Sequence, residues 1–110
     1  GILVFTMENI DRLGIAEVME RALTALRNAG GLIVDLSMNC LDPRDVPGTA
    51  SPSPAGLSLR EAHCAMEMLA ASGRVRGAVL SECDPARDVS GVSARNACAL
   101  LASLSGKRIL

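Results

Sequence analysis

The sequence predicts an α/β fold with a mostly parallel sheet and helices on both faces, in one domain at most over residues 1–110. Three observations lead there. Short apolar runs alternate with stretches of helical period, the alternation of β-α-β-α-β-α. The first run, Gly1–Phe5, is apolar throughout, as in a strand with neighbours on both sides. The chain of 110 residues is 49% hydrophobic and 21% charged, which suits one folded domain.

Gly1–Phe5 reads as a buried strand already under way, and with no initiator Met it points to a longer parent. Thr6–Leu13 is polar and turn-like. From Ile15 the spacing changes: Ile15, Val18, Met19, Ala22, Leu23 and Leu26 share one helix face, and Asn28, Gly30 and Gly31 end it. Leu32–Met38 is the second strand. Asn39–Gly56 holds four of the five prolines and reads as a long loop of the kind that often carries function. Ser58 and Glu61 form a capping box for a helix carrying Ala62, Ala65, Met66 and Leu69 inward, which stops at Gly73. Val75–Ser81 is the third strand. After Glu82-Cys83-Asp84-Pro85, a last helix runs from Val92 or Ser93 to Leu104.

Composition excludes several function classes. Eleven basic against twelve acidic residues leave no basic field for nucleic acid or anionic lipid. The aromatic content is a single Phe, too little for base or sugar stacking. No apolar run is long enough to span a bilayer, and the opening residues lack the basic region and small-residue cleavage site expected of a signal peptide. Cys40, Cys64, Cys83 and Cys98 lack metal or redox spacing, which suits reduced thiols in a cytoplasmic protein. His63 is the only histidine, so a His-rich metal site cannot come from these residues alone.

Ligands in open α/β sheets bind at the carboxyl ends of strands. Two segments lie there: Ser37–Ser51 and Glu82–Asp84. Around them stand Leu41-Asp42-Pro43-x-x-x-Pro47-Gly48-Thr49, then Gly56-Leu57-Ser58-x-Arg60-Glu61, then Glu82-Cys83-Asp84-Pro85. With Phe5–Ile15 and Leu104–Arg108, these motifs resemble the arginase (ureohydrolase) family in order and separation. The resemblance covers essentially the whole chain and implies that residues 1–110 are one partial domain, the carboxyl-terminal third of that family's three-layer α/β/α sandwich with a mostly parallel sheet.

The resemblance implies a parent chemistry in which a dinuclear manganese centre activates water to hydrolyse L-arginine to ornithine and urea. A hard dication lowers the pKa of bound water and prefers carboxylate oxygen. The family's D-x-D ligand pair precedes the Leu-Asp-Pro turn, and those two positions here hold Ser37 and Asn39. Two residues at i and i+2 of a strand end face one side, so both would reach the cluster. Asp35 is one pleat further back, too deep to stand in for both. A hydroxyl and an amide bring no charge, so manganese is expected to be lost or severely weakened and none bound by this chain.

Glu82 falls where the family's glutamate meets the substrate guanidinium, for which a bidentate pair is the physical reason. Ser51 falls at a pocket hydroxyl usually held by Thr. Thr49-Ala50-Ser51 replaces Thr-Gly-Thr, and Ala55-Gly56 stands where the family tends to have two glycines. Asp42 and Pro43 are expected to fix the turn, and His63 to pack or lie on the surface. The remaining family ligands lie upstream of this sequence. The expectation is therefore a non-catalytic arginase-family segment, left with a binding role in a homo- or hetero-oligomer, arginases being trimers or larger. The alternative is an active arginase or related guanidino hydrolase whose metal site is completed by upstream residues. An unrelated α/β binding module is a third class. Antiparallel pairing of the second and third strands would favour it and remove the arginase reading.

Overall fold

The computed structural model describes residues 1–109. Its elements are α1 (Met7–Leu13), α2 (Ile15–Ala25), β1 (Leu32–Ser37), a 3-10 turn (Met38–Cys40), α3 (Leu59–Ala71), β2 (Val75–Ser81) and α4 (Val92–Leu104). β1 and β2 are parallel neighbours, in register from Ile33 opposite Gly77 to Ser37 opposite Ser81. The register slips by one between Leu32 and Ile33, which leaves Arg76 unmatched.

The ends of the helices follow from local chemistry. In α3 the Ser58 hydroxyl accepts the Glu61 amide at 3.2 Å, and the Glu61 carboxylate accepts the Ser58 amide at 2.8 Å. Gly73, at φ +66°, lets the chain turn out of this helix toward β2. The α2 end is held differently. Arg74 donates to the carbonyls of Leu26 and Ala29, orphan acceptors just beyond the helix.

The core lies on one face of the strand pair. Val34 and Leu36 of β1 pack with Ala62, Ala65 and Met66 of α3 and with Ala97, Leu100 and Leu104 of α4. Met38, Leu41 and Val46 extend that core under the strand end. The other face, which carries Ile33, Asp35 and Val79, is open among the described residues.

Two expectations require correction. Thr6–Leu13 is not a turn: it is largely α1, started by a capping box in which Thr6 and Asn9 satisfy each other's amides. An Asn at the third helical position does the work usually done by Glu or Gln. Gly1–Phe5 is not a buried strand: it has no ladder partner among the described residues, and Ile2 is 93% exposed. A strand exists only through a neighbour's backbone, and Gly1–Phe5 lies on neither free edge of the β1–β2 pair.

Candidate functional site

The parallel register brings the carboxyl ends of β1 and β2 to one edge. Ser37 stands beside Ser81, and Glu82 follows directly. The chain then leaves β1 through the 3-10 turn, so the strand ends at Ser37 rather than Met38 and Asn39 lies outside the pleat. Strand alternation therefore does not govern Ser37 and Asn39. They are joined instead by a bond from the Asn39 amide to the Ser37 hydroxyl at 3.3 Å, with the Met38 side chain fully buried between them. Asn39 Oδ1 is buried and has no hydrogen-bond partner. Asp35 faces the same open side as Ser37, one pleat back, about 6.6 Å along the strand.

Glu82 is exposed and adopts φ +68°, the left-handed region that side chains rarely occupy. Such a conformation costs about 1–2 kcal/mol and persists where surrounding structure holds it. Here the Asp84 amide donates to the Gly48 carbonyl at 2.7 Å, pinning the turn two residues after Glu82.

The long loop is fixed at several points. Leu41 and Leu57 form an isolated parallel bridge. The Asp42 carboxylate accepts the Arg44 amide and guanidinium and, at 3.1 Å, the Ala55 amide. The Arg44 side chain and amide are the main reason the Asp42 carboxyl is held down at about 2. Asp42 thus braces the loop. The Asp45 carboxylate accepts the Leu59 amide at 2.9 Å at the start of α3. Ser51 lies on the exposed stretch of this loop.

The structure gathers Ser37, Asn39 and Glu82 at one strand-end edge. Ser51 is carried by the adjoining loop, three residues beyond the pinned Gly48. None of the four lines the neighbouring cavity of about 220 Å³, formed by Gly48, the Cys83–Pro85 turn and the first turn of α4. His63 is buried, at 4% exposure, and shares a 2.8 Å hydrogen bond with Ser103 of α4. It sits in the α3–α4 packing.

Sequence reasoning missed the residues that hold this edge together. The Gly48 amide donates to the Ser93 hydroxyl at 2.8 Å. Asp88 accepts the amides of Ser93 and Ala94. Although desolvation opposes it, these bonds hold the Asp88 carboxyl below its ordinary range. Asn96 donates to the Asp45 carbonyl at 2.7 Å. An Asp shortly before a helix was the one local signal available. The contact with Gly48 spans 45 residues and has none.

For a metal, the donors at this edge are the Ser37 hydroxyl, the Asn39 amide oxygen and the Glu82 carboxylate. Among the described residues no group of three or more His, Cys, Asp or Glu could hold a metal ion. Two neutral oxygens and one carboxylate do not by themselves fit a pair of hard dications. No helix among the described residues is long and apolar enough to cross a membrane.

Residues 1–106 match the model of the arginase family. The arginase of Bacillus subtilis (strain 168) is 40% identical over 110 residues, covering 100% of this chain and 37% of that protein. The native structure of arginase from Bacillus caldovelox superposes with a TM-score of 0.95 at 39% identity, over 100% of this chain and 37% of that one. The formimidoylglutamase of Bacillus subtilis superposes with a TM-score of 0.89 at 25% identity, over 96% of this chain and 33% of that one. The chain thus spans little more than a third of the relatives it matches.

Proposed function

The chain belongs to the arginase family, and from that premise we propose that it is a partial domain, residues 1–110, of an arginase-like protein that does not hydrolyse its guanidino compound. The observation that carries this reading is the donor set at the end of β1. The ligand aspartates that the family pattern calls for are replaced by Ser37 and Asn39, and both are neutral. Each lost carboxylate removes on the order of several kcal/mol of attraction to a dication, even at an effective dielectric of about 20. No other carboxylate of β1 replaces them: Asp35 is a pleat further back.

In this reading the guanidinium-facing part of the pocket is retained. Glu82 is a carboxylate on a strained turn at the strand end, free of ion pairs among the described residues. A planar carboxylate there is matched to a guanidinium by two parallel hydrogen bonds. Ser51 supplies a hydroxyl from the adjoining loop. The protein would bind L-arginine or a related guanidino compound without turning it over. Its setting would be cytoplasmic, in a homo- or hetero-oligomer, with a trimer as the family's precedent, and with neither nucleic acid nor membrane as partner.

One observation favours a second reading. Asn39 Oδ1 is a buried acceptor with no partner, and a cation held mainly by residues outside this sequence would satisfy it. The parent would then be a working ureohydrolase with two weak neutral ligands. Metal analysis and urea release from the full-length parent separate the two. The first reading expects neither bound manganese nor urea, and a gain in manganese affinity of at least tenfold on Ser37→Asp with Asn39→Asp, since each restored carboxylate is worth well over 1.4 kcal/mol. Stoichiometric manganese with urea release from the unaltered protein establishes the second. No gain in affinity from the double substitution would overturn the charge argument itself.

A further inference from the structure

We propose that Ser93 is a positioning residue for the strand-end pocket, its hydroxyl tying the loop that carries Ser51 to the turn that carries Glu82 through the Gly48 peptide. This rests on the reading of Glu82 and Ser51 as pocket residues and adds what holds them in register.

The Gly48 peptide is gripped from both sides. Its amide donates to Ser93 Oγ at 2.8 Å in a buried bond, and its carbonyl accepts the Asp84 amide at 2.7 Å. The first bond reaches α4. The second reaches the turn two residues past Glu82. Only glycine fits between them, because a Cβ at Gly48 would come within 2.9 Å of both Asp88 Cβ and Ser93 Oγ. Ser93 is itself fixed. Its amide donates to Asp88 at 2.9 Å, the Ala94 amide donates to the same carboxylate at 3.1 Å, and the residue is 2% exposed. Asn96, about one turn further along α4, holds the same loop at the Asp45 carbonyl.

The consequence is geometric. Glu82 sits at φ +68°, a conformation its own sequence does not favour. The Asp84–Gly48 bond is the long-range backbone bond of the Glu82–Pro85 turn among the described residues. Ser51 is three residues from the same glycine. Without the Ser93 hydroxyl, the Gly48 amide is left buried and unpaired, so the loop shifts to find water. That shift moves both pocket walls, while the α3–α4 core, built around Leu100 and Leu104, stays in place.

The experiment uses the full-length parent, with Ser93→Ala and Ser93→Thr beside the unaltered protein. Calorimetric titration with L-arginine is paired with backbone hydrogen exchange at Gly48 and Asp84. Ser93→Ala is expected to weaken L-arginine about tenfold, the scale of one lost buried hydrogen bond, and to speed exchange at both amides together. Ser93→Thr, which keeps the hydroxyl, is expected to restore both. Unchanged affinity and exchange in Ser93→Ala would overturn the proposal, and so would a folded Ser93→Thr that restores neither. If the unaltered parent does not bind L-arginine, the reading of Glu82 falls. The tie is then decided by exchange alone: joint acceleration at Gly48 and Asp84 supports it, and no change removes it.

Discussion

At the scale of single residues, the loop between Asn39 and Gly56 carries two adjacent positions with opposite demands. Ala55 adopts φ +61°, where its Cβ crowds the following carbonyl. A glycine there would be relaxed, so Ala55→Gly is expected to raise stability by about 0.5–1 kcal/mol, the relief of left-handed strain less the added freedom of the unfolded chain. Gly56 is the reverse. A Cβ there would stand 2.6 Å from the Cys40 carbonyl oxygen and 2.9 Å from the Leu41 carbonyl carbon, backbone atoms held in place by the Leu41–Leu57 bridge. Gly56→Ala is expected to cost about 2–3 kcal/mol. Urea denaturation midpoints of the two variants should therefore move in opposite directions, and a shared direction would mean that the loop is not held as described. The sequence alone showed an alanine beside a glycine at the end of this loop. It could not show which of the pair sat at positive φ and which was hemmed in by backbone.

At the scale of elements, α3 and α4 meet through His63 and Ser103, and that contact is expected to respond to pH. Burial is the main reason the imidazole titrates below its ordinary value; the charge of Glu67 opposes the shift, and those of Arg60 and Lys107 add to it. In the unfolded chain the same group titrates near 6.5. Below that pH the unfolded state binds a proton that the folded state refuses, so stability falls as the pH drops from about 6.5 toward the lower folded value. Above it this group contributes no slope. Since His63 is the only histidine, His63→Gln should flatten the loss of stability measured as the pH is lowered from about 6.5. An unchanged slope would assign it elsewhere. Elements of this kind were readable where their signal is local. The capping box of Ser58 and Glu61 and the apolar period from Ile15 to Leu26 gave α3 and α2 within a residue or two. The register of Ser37 beside Ser81, the bend at Met38 and the reach of Ser93 to Gly48 were not readable, because each joins segments far apart in the chain or depends on packing beneath a single buried side chain.

At the scale of the whole molecule, the strand pair has one finished face. Val34 and Leu36 are covered by helices, whereas Ile33 is 72% exposed and Val79 53% exposed on the opposite side. The parallel pairing suits a sheet covered on both faces, but among the described residues helices cover only one. Gly1–Phe5 belongs to the same account: its sequence asks for strand neighbours that it does not meet among the described residues. Parallel sheets are stable when both faces are buried. The open face should therefore behave differently in two settings. In the 110 residues alone, Ile33→Lys with Val79→Lys replaces exposed apolar surface by charge and should lower self-association and dye binding, with little effect on the melting midpoint. If further layers of a full-length parent cover that face, the same pair of ammonium groups is buried there without partners. The double variant should then lose several kcal/mol, on the order of 3–5, and fail to accumulate. Sedimentation of the short chain and denaturation of the long one read the two effects separately. A loss in both would mean that the face is already covered in the short chain by a second copy. A gain in both would mean that nothing in the parent packs on it, and the placement of this chain as the carboxyl-terminal portion of a larger sandwich would have to be abandoned.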